Sequence, residues 1–402
     1  MVPTQRDVTT VPMLLPAVLL VVLGAAPVKP PPRPAPGLPQ TKADSGSDII
    51  ALPMMTFSSD HGISYGAVGG IYLYGPGKTP YAHSIGAQVL FSSRGVQSHY
   101  VRYDGPRLIG PLRLEAGLEY RRELKSPFFG AGNLSAPDFQ GDLDNERYTF
   151  DKGAPGGWFR LRGRPFGPTH PLQSYVGYAL RYTSVDTYDE SMLHQQRPLG
   201  IEGGMTGQLL VGALWDTRDD ETDPLEGGVE EIALRVSGMA TGSRYQYAGI
   251  TLSERRYLKL SSRLTLAQRL TLDMLFGEVP FFEWSNTGGV NVSEGIGGMS
   301  SVRGIERNRF SGNVKAFSNT ELRYHAANLQ VFGKSMKVGA VMFLDLGRVW
   351  HPGVPDGKWH EWHPGIGGGL RLMRRAAVVR MDYARSTETG RQRVYITFGH
   401  MF

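Results

Sequence analysis

Two glycine-rich segments near the amino terminus contain residue types that enzymes use. Residues 62–66 read GISYG, which fits the G-x-S-x-G pattern around a nucleophilic serine. Such a serine needs a strand, a sharp turn and a helix, whereas Ser64 opens another alternating segment, so a hydrolase is disfavoured. Residues 75–79 read GPGKT and end like a phosphate-binding loop, but the first glycine of that motif would fall on Tyr72 and no helix follows. Both segments therefore indicate strands and turns.

Three histidines are the candidates for a metal site. His351, His360 and His363 lie close together in sequence, but proline and glycine flank them and no supporting residues are apparent. Amphipathic histidine and tryptophan side chains at the headgroup level of a membrane explain this segment better, with metal binding as the open alternative. The chain has no cysteine, which excludes thiol catalysis, disulfides and cysteine metal sites. We expect no catalytic residue, no cofactor and no enzymatic activity.

Charge and hydropathy exclude two further classes of protein. The 402 residues include 43 Lys and Arg against 37 Asp and Glu, a net charge of +6. Because this excess is small and evenly spread, it does not favour a nucleic-acid partner. Beyond the amino terminus no apolar stretch reaches the length of about 18 residues that a membrane-spanning helix needs, which excludes a helical membrane protein.

The amino terminus is predicted to be a targeting segment. Residues 11–26 read VPMLLPAVLLVVLGAA, an apolar core that follows Arg6 and ends in small residues. This pattern predicts a signal peptide over residues 1–26, since a membrane anchor would need a longer apolar stretch with fewer prolines. The proline-rich residues 27–47 are predicted to form an extended linker. The folded part is then expected to cover residues 48–402.

From Asp48 onward the sequence alternates with a period of two. Apolar residues at 112, 114, 116, 118 and 120 alternate with polar or small residues at 113, 115, 117, 119 and 121. Such segments are longer than strands of soluble sheets, and their number is typical of a transmembrane antiparallel β-barrel. The sixteen predicted strands cover residues 48–58, 62–74, 81–92, 96–105, 111–122, 157–166, 172–186, 204–216, 229–238, 244–259, 263–275, 313–325, 336–349, 364–374, 376–386 and 392–402.

The predicted connections and the last strand agree with this fold class. The three longest gaps, residues 123–156, 187–203 and 276–312, all follow odd-numbered strands and so lie at one end of the barrel. Long extracellular loops and short periplasmic turns are the rule in such barrels. The final segment resembles the carboxy-terminal recognition strand of outer-membrane proteins, with an ordinary soluble edge strand as the alternative. Its predicted residues are Val394, Ile396, Phe398, Gly399 and Phe402.

Several motifs occur in an order that resembles one family. Val302-Arg303-Gly304 lies in the longest late loop, and Phe343, Asp345 and Gly347 belong to a later F-x-D-x-G strand. With Glu321 on the strand between them, they resemble the BamA/TamA superfamily of outer-membrane assembly and translocation barrels, also called the bacterial surface antigen family. The resemblance covers roughly residues 48–402. It departs at Ile305, where the family usually has an aromatic residue.

Further segments carry the same resemblance. Residues 128–133 look like the family's aromatic-Gly-x-Gly-Asn loop, and residues 216–228 look like its mid-barrel periplasmic turn, which explains their acidic run better than calcium does. Residues 365–371 and Phe398-Gly399 match its last strands. Family members usually carry periplasmic POTRA modules, for which the short segment before Asp48 leaves no room. The resemblance therefore implies a barrel-only member.

The resemblance implies that the long loop folds into the lumen and that Arg303 pairs with acids of the wall. Alternation supports this, because Asp345 lies between Leu344 and Leu346 and should therefore face inward. Glu321 should face inward for the same reason. A guanidinium inside a barrel needs carboxylate partners, and its fork of five donors suits two of them. The alternative is an exposed arginine in a glycine-rich loop.

The family resemblance predicts handling of proteins at the outer membrane of a Gram-negative bacterium. A weak seam between the first and last strands would offer free strand edges to an unfolded barrel-protein client. Pro53 removes a donor from the first strand, and Gly399 allows the last strand to bend. The expected partners are outer-membrane lipids, such clients and a separate periplasmic protein in place of POTRA modules. The alternatives are a passive pore or surface antigen, and a lipid or glycan export component.

Overall fold

The period-two pattern folds into a closed barrel. The computed structural model describes residues 46–75, 81–141, 146–221, 223–289, 294–331, 334–374 and 377–402. Its strands pair antiparallel with their sequence neighbours, and the first strand returns to the sixteenth. This confirms the predicted all-β barrel. The predicted signal peptide lies outside the described residues, as does the predicted linker except for its last residues, which begin the first strand.

Each observed strand corresponds to one predicted segment. The strands are β1 (Gly46–Ser58), β2 (Gly62–Tyr74), β3 (His83–Ser92), β4 (Val96–Ile109), β5 (Leu112–Pro127), β6 (Thr149–Gly163), β7 (Leu172–Thr187), β8 (Gly204–Asp216), β9 (Gly227–Ser237), β10 (Tyr247–Lys259), β11 (Leu264–Gly277), β12 (Val314–Val331), β13 (Lys334–Trp350), β14 (His363–Arg374), β15 (Ala377–Ser386) and β16 (Gln392–Phe398).

Helices are short and lie in the connections. The helix α1 (Met192–Gln196) begins after Ser191, whose hydroxyl accepts a hydrogen bond from the backbone N–H of His194 at 3.1 Å. Three single turns of 3₁₀ helix lie at Glu146–Tyr148, Met239–Thr241 and Phe281–Glu283. Among the described residues, none of the helices has the length and apolar character needed to cross a membrane.

The barrel wall is apolar outside and polar inside. On β5, Leu118 is 70% exposed on the outer face, whereas Glu123 on the inner face is buried. On β13, Met342 is 70% exposed outside, and Asp345 is fully buried inside. This alternation is that of a barrel whose outer face contacts lipid. Closure satisfies the strand-edge hydrogen bonds that hydrocarbon would leave unpaired.

The two ends of the barrel differ in the length of their connections. One end carries the three longest, residues 128–148, 188–203 and 278–313, and we call it the loop end. The opposite end, here the turn end, carries the start of β1 and the end of β16. The predicted placement of the three longest connections on one end is therefore confirmed.

The strands β5 and β6 extend further toward the loop end than predicted. They pair up to Pro127↔Thr149, whereas the sequence pattern stops at residue 122 and resumes at residue 157. A register shift after Glu123, with Lys125 at a positive φ of 54°, interrupts the alternation of β5. Pro155 and its neighbouring glycines conceal the first half of β6, since these residues are rare in paired strands.

Aromatic side chains close the loop end. Phe128 and Phe150 pack edge-on against Phe281, with ring centroids 5.4 and 5.3 Å apart. The buried cluster to which they belong also includes Leu193, Tyr245, Tyr247, Leu275, Val279, Phe282 and Trp284. Below it, between the β4–β9 side of the wall and the 278–313 connection, lies a cavity of about 1780 Å³.

Candidate functional site: the lumen loop and the strand seam

The tip of the 278–313 connection lies inside the barrel. Val302 and Arg303 are fully buried, and the backbone N–H of Gly304 donates to the hydroxyl of Tyr395 on β16 at 3.4 Å. The three residues of the predicted tip are thus placed against the inner wall formed by the last strands.

Arg303 is bound by three carboxylates. Its Nε and one terminal nitrogen donate to the two oxygens of Asp345 at 2.8 and 3.0 Å. Its other terminal nitrogen donates to Glu321 at 2.8 Å and to Asp382 at 3.0 Å. Burial alone would lower the pKa of Arg303, but Asp345 and Glu321 outweigh it, so the pKa is raised above its ordinary value. The arginine is therefore charged at every physiological pH.

Both acids that the sequence indicated lie against Arg303, and Asp382 is a partner that the sequence analysis missed. Asp382 stands between Met381 and Tyr383, which are 43% and 47% exposed on the outer face of β15. The alternation that marked Asp345 as inward therefore marks Asp382 as well. What the sequence lacked was any indication that the loop tip reaches as far as β15.

Two further arginines share these carboxylates. Arg371 donates to Asp382 at 2.5 Å, and Arg323 donates through Nε to Glu321 at 2.9 Å. Asn319 donates to Asp345 at 2.8 Å and so occupies one more of its lone pairs. Such shared pairing compensates the cost of removing these charges from water.

Glycines on the barrel wall make room for the loop tip. A Cβ on Gly347 would lie 2.5 Å from Ile296 and 2.7 Å from Val302, and a Cβ on Gly365 would lie 1.9 Å from the carbonyl oxygen of Arg303. Gly304 itself has a φ of 92°, which favours glycine. The loop tip fits the wall only because these positions are glycines.

Aromatic and apolar contacts also hold the loop tip against the barrel wall. The guanidinium of Arg303 lies 3.4 Å from the ring centroid of Phe343, the first residue of the predicted strand motif. Val302 belongs to a buried cluster with Ile296, Phe310, Phe317 and Val349, which Ile305 joins at 3% exposure. An isoleucine at this position is therefore compatible with the packing.

A second ionic cluster connects the loop to the first and last strands. Arg393 on β16 donates to Asp60, next to β1, at 2.9 Å and to Glu306 of the loop at 2.7 Å. Arg307 of the loop donates to Glu123 on β5 at 2.6 Å. Sequence reasoning did not find this cluster, because Asp60 and Arg393 lie at opposite ends of the chain. Through it, the loop holds both sides of the β1–β16 junction.

That junction, which we call the seam, is short. β1 and β16 share only the pairs Phe57↔Ile396 and Ser58↔Tyr395 among the described residues. The backbone N–H of Ser59 adds one bond to the carbonyl of Val394 at 3.0 Å. By contrast, β1 pairs with β2 along its whole length. Residues 49–56, which include Pro53, therefore pair with no residue of β16.

Comparison with known proteins now identifies the family. Residues 162–402, more than half of the chain, match the Omp85 superfamily domain. The chain belongs to the Omp85 superfamily. This confirms the predicted BamA/TamA-like resemblance and the predicted outer-membrane β-barrel.

Solved structures show the same fold for this Omp85 barrel. BamA from Haemophilus ducreyi lacking POTRA domains 1–3 is 14% identical, with a TM-score of 0.60 over 88% of this chain and 70% of that chain. CdiB from Acinetobacter baumannii is 14% identical, with a TM-score of 0.54 over 89% of this chain and 60% of that one. CdiB from Escherichia coli is also 14% identical, with a TM-score of 0.57 over 93% and 68%. The chain thus spans 60–70% of these proteins. No curated protein sequence matches it.

The last strand of the Omp85 barrel is shorter than predicted. β16 ends at Phe398, so the prediction of a strand over residues 392–402 is wrong for its final part. Val394 and Phe398, 37% and 53% exposed, face outward as expected, and Ile396 pairs with the outward-facing Phe57. The paired part of the predicted recognition strand therefore ends before Phe402.

A turn at Gly399 separates Phe402 from the outer face. Gly399 has a φ of 83°, and its N–H donates to the carbonyl of Val378 at 2.8 Å. The ring centroid of Phe402 then lies 5.2 Å from the guanidinium of Arg269 and 5.1 Å from that of Arg323, both buried in the lumen. The left-handed glycine reverses the alternation, and cation–π contacts hold the terminal ring inside.

The other chemical candidates do not form a site. Ser64 lies within β2 and is buried, without the strand-turn-helix context of a nucleophile. His351 packs edge-on against Trp284, whereas His363 contacts Glu388 at 2.9 Å. In the part of the chain that the structure describes, no group of three His, Asp or Glu side chains is arranged to bind a metal ion. The GPGKT segment lies mostly outside the described residues.

The arrangement therefore provides two physical properties. The loop is held in the lumen by two ionic clusters, one on β12, β13 and β15 and the other on β5, β16 and Asp60 next to β1. The seam leaves an edge of β1 without a partner, and backbone N–H and C=O groups there are free to accept another strand.

Proposed function

We propose that this Omp85 barrel assists the insertion or translocation of proteins at the outer membrane of a Gram-negative bacterium, through the seam. The observation that carries the proposal is the edge of residues 49–56 on β1, which pairs with β2 on one side and with no residue of β16 on the other. A client strand would pair with this edge by β-augmentation, with main-chain hydrogen bonds supplying affinity. The proposal includes no enzymatic step and no cofactor.

The lumen loop would regulate the stability of the seam. Arg393 joins Asp60 beside β1 to Glu306 of the loop, so a movement of the loop tip weakens a contact across the junction. Arg303 with Asp345, Glu321 and Asp382 would in turn keep the tip in place. We propose that this ionic cluster positions the loop tip.

Partners complete the proposal. The outer face contacts outer-membrane lipids, and the clients are unfolded outer-membrane proteins. A separate periplasmic protein would deliver them to the turn end, in the role that POTRA modules have in related barrels.

A passive pore is the weaker alternative. The 278–313 connection fills part of the lumen, and the aromatic cluster around Phe281 closes the loop end. Both features obstruct a continuous aqueous path through the lumen, so they favour a gated barrel over an open channel.

The test is a quantitative outer-membrane proteome of a strain that lacks the chain. Complementation uses the wild type, Arg303→Ala and, as a matched control, Arg197→Ala, which removes an exposed arginine paired only with Glu202. We expect a defined set of barrel proteins to be depleted in the deletion strain and with Arg303→Ala, and restored by the wild type and Arg197→Ala. An unchanged proteome in the deletion strain would contradict the proposal.

A further inference from the structure

The middle of the inner face of β1 is apolar, which is unusual for the lumen of a barrel. Tyr395 contacts the lumen loop, so its partner Ser58 and the even-numbered residues before it on β1 face inward. Asp48, Thr56 and Ser58 are polar, but Ile50, Leu52 and Met54 between them are apolar, and the first two of these three are 41% and 57% exposed. Their outward neighbours on β1 are also apolar, so residues 49–55 are apolar on both faces.

The apolar inner face continues onto the next two strands. Leu52 lies opposite Val68 on β2, and Met54 lies across Gly66 from Leu90 on β3. Together Ile50, Leu52, Met54, Val68 and Leu90 form what we call the inner apolar face. It begins at the unpaired edge of β1, where the seam is open to the membrane.

A shallow trough of two glycines leads from this face to an arginine. Ile50 pairs with Gly70, Gly70 with Gly86, and Gly86 with Arg102 on β4. A Cβ on Gly86 would meet nothing nearer than 3.8 Å, whereas a Cβ on Gly70 would lie 3.4 Å from the ring of Tyr72, which borders the trough. With strands about 4.8 Å apart, the Cα of Arg102 lies about 14 Å from that of Ile50 along this row.

Arg102 has no carboxylate partner among the described residues. Its guanidinium stacks on the ring of Tyr100 at 4.2 Å. The acids on the neighbouring strands are bound by other arginines. Asp104 accepts from Arg113, Glu115 from Arg160 and Arg162, and Glu119 from Arg181.

The cavity beside Arg102 is also basic. It is lined by twelve Arg and Lys side chains and eight Asp and Glu side chains, a net charge of +4. An anion at Arg102 would therefore be stabilised by the electrostatic field of the whole cavity as well as by the contact with Arg102.

We propose that the seam binds an anionic lipid, with its acyl chain on the inner apolar face and its phosphate on Arg102. A membrane phospholipid and a phosphorylated glycolipid share this chemistry. The client strand of the proposed function would pair with the backbone edge of β1, whereas the acyl chain would lie on the side chains of Ile50, Leu52 and Met54 inside the lumen. The site goes beyond the proposed protein-handling function and does not depend on it.

The experiment uses the purified full chain in nanodiscs that contain phosphatidylglycerol with a photoreactive group at the end of one acyl chain. Phosphatidylcholine with the same chain is the neutral probe, and labelled positions are mapped by mass spectrometry. We expect the anionic probe to label the inner apolar face several-fold more than the neutral probe does. Unlabelled phosphatidylglycerol and a phosphorylated glucosamine lipid then compete, and the one that displaces the probe at the lower mole fraction is the preferred source.

Four variants test the phosphate contact and the trough. Arg102→Gln should lower labelling by the anionic probe at least fivefold, and Arg102→Lys should retain most of it. Arg122→Gln removes the same charge from the exposed outer face of the neighbouring strand and should change nothing. Gly86→Leu, at a position with open space, should block the trough and lower labelling without removing a charge. Each variant is first checked for the heat-resistant folded band.

Two results would overturn the site. The first is equal labelling by the two probes, or labelling confined to outward residues. The second is labelling that Arg102→Gln and Gly86→Leu both leave unchanged. Labelling that disappears only when a barrel-strand peptide is added would count in the same way, because it would assign the edge to protein. Because this assay uses the purified chain, it can fail while the proteome test succeeds, and the reverse.

Discussion

At the scale of the residue, Arg303 connects the lumen loop to three strands of the wall. It is fully buried, and Asp345, Glu321 and Asp382 all accept its hydrogen bonds. Removal of Arg303 leaves Asp345 buried without its arginine, whereas Glu321 and Asp382 keep Arg323 and Arg371. Breaking a buried pair in this way costs more than the pairing itself contributes. The cluster therefore holds the loop in place, and its loss would destabilise the whole loop.

Arg303→Ala is expected to destabilise the folded barrel by about 3–5 kcal/mol, because three carboxylates lose their shared cation inside the lumen. The measurement is the urea concentration at which the compact, heat-resistant band disappears on a semi-native gel. The control is Arg197→Ala, whose exposed pair with Glu202 at 3.3 Å contributes about 0–1 kcal/mol. Equal unfolding midpoints for the two variants would contradict the role of the cluster.

Gly365→Ala is expected to displace the loop tip, because the added Cβ would lie 1.9 Å from the carbonyl oxygen of Arg303. Overpacking of this kind costs about 1–3 kcal/mol. Protease cleavage within residues 294–313 measures the displacement. Gly86→Ala, which meets nothing nearer than 3.8 Å, is the matched control. Cleavage as slow as in the control would show that the tip does not depend on this glycine.

Part of this site was predictable from single residues. Alternation showed that Asp345 and Glu321 face inward, and the resemblance to a family linked them to Arg303. Asp382 obeys the same alternation, but no local pattern tells how far a loop reaches across a barrel. The contact of Asp60 with Arg393 joins the two ends of the chain, and only closure of the barrel brings them together.

At the scale of the element, β1 differs from every other strand. It has a full set of partners on β2 but shares two residue pairs with β16. Unpaired strand edges are a liability that proteins normally cover. Here the edge lies at the turn end, where β1 starts and β16 ends.

Hydrogen exchange tests the seam directly. In an antiparallel strand, alternate amides point to alternate neighbours, so every second amide of residues 49–56 should exchange at nearly the rate of an open loop. The remaining amides of β1, and those of β12 and β13, should be protected, since β12 pairs with β13 along its length. Uniform protection along β1 would show that a partner strand covers this edge.

The sequence predicted the strands well where alternation is unbroken. It failed at β5 and β6, where Lys125 and Pro155 interrupt the pattern, and at the end of β16. There Phe402 continues the apolar alternation in sequence, but Gly399 turns the chain so that the ring lies among lumen arginines. A pattern of side chains does not reveal a backbone reversal.

At the scale of the whole molecule, the barrel is closed at one end and weak along one side. The aromatic cluster and the lumen loop close the loop end, and the seam provides the weak side. The fold class and the family were accessible from sequence, because both rest on patterns spread over many strands. The seam was predicted only in position. Its shortness and its ionic connection to the loop depend on contacts between distant residues.

The central claim is that the seam must open for function, and a disulfide across it tests this most directly. Phe57→Cys with Ile396→Cys joins the one outward pair of the seam, and strand partners lie within disulfide range. The chain has no native cysteine, so these are its only thiols. Ile49→Cys with Ile71→Cys, an outward pair of β1 and β2, is the matched control.

Both variants complement the deletion strain, and the outer-membrane proteome is measured with and without a membrane-permeant reductant. We predict that the oxidised seam variant depletes the same barrel proteins as the deletion does, that reductant restores them, and that the control resembles the wild type throughout. A wild-type proteome with the seam disulfide formed in nearly all molecules would contradict the account.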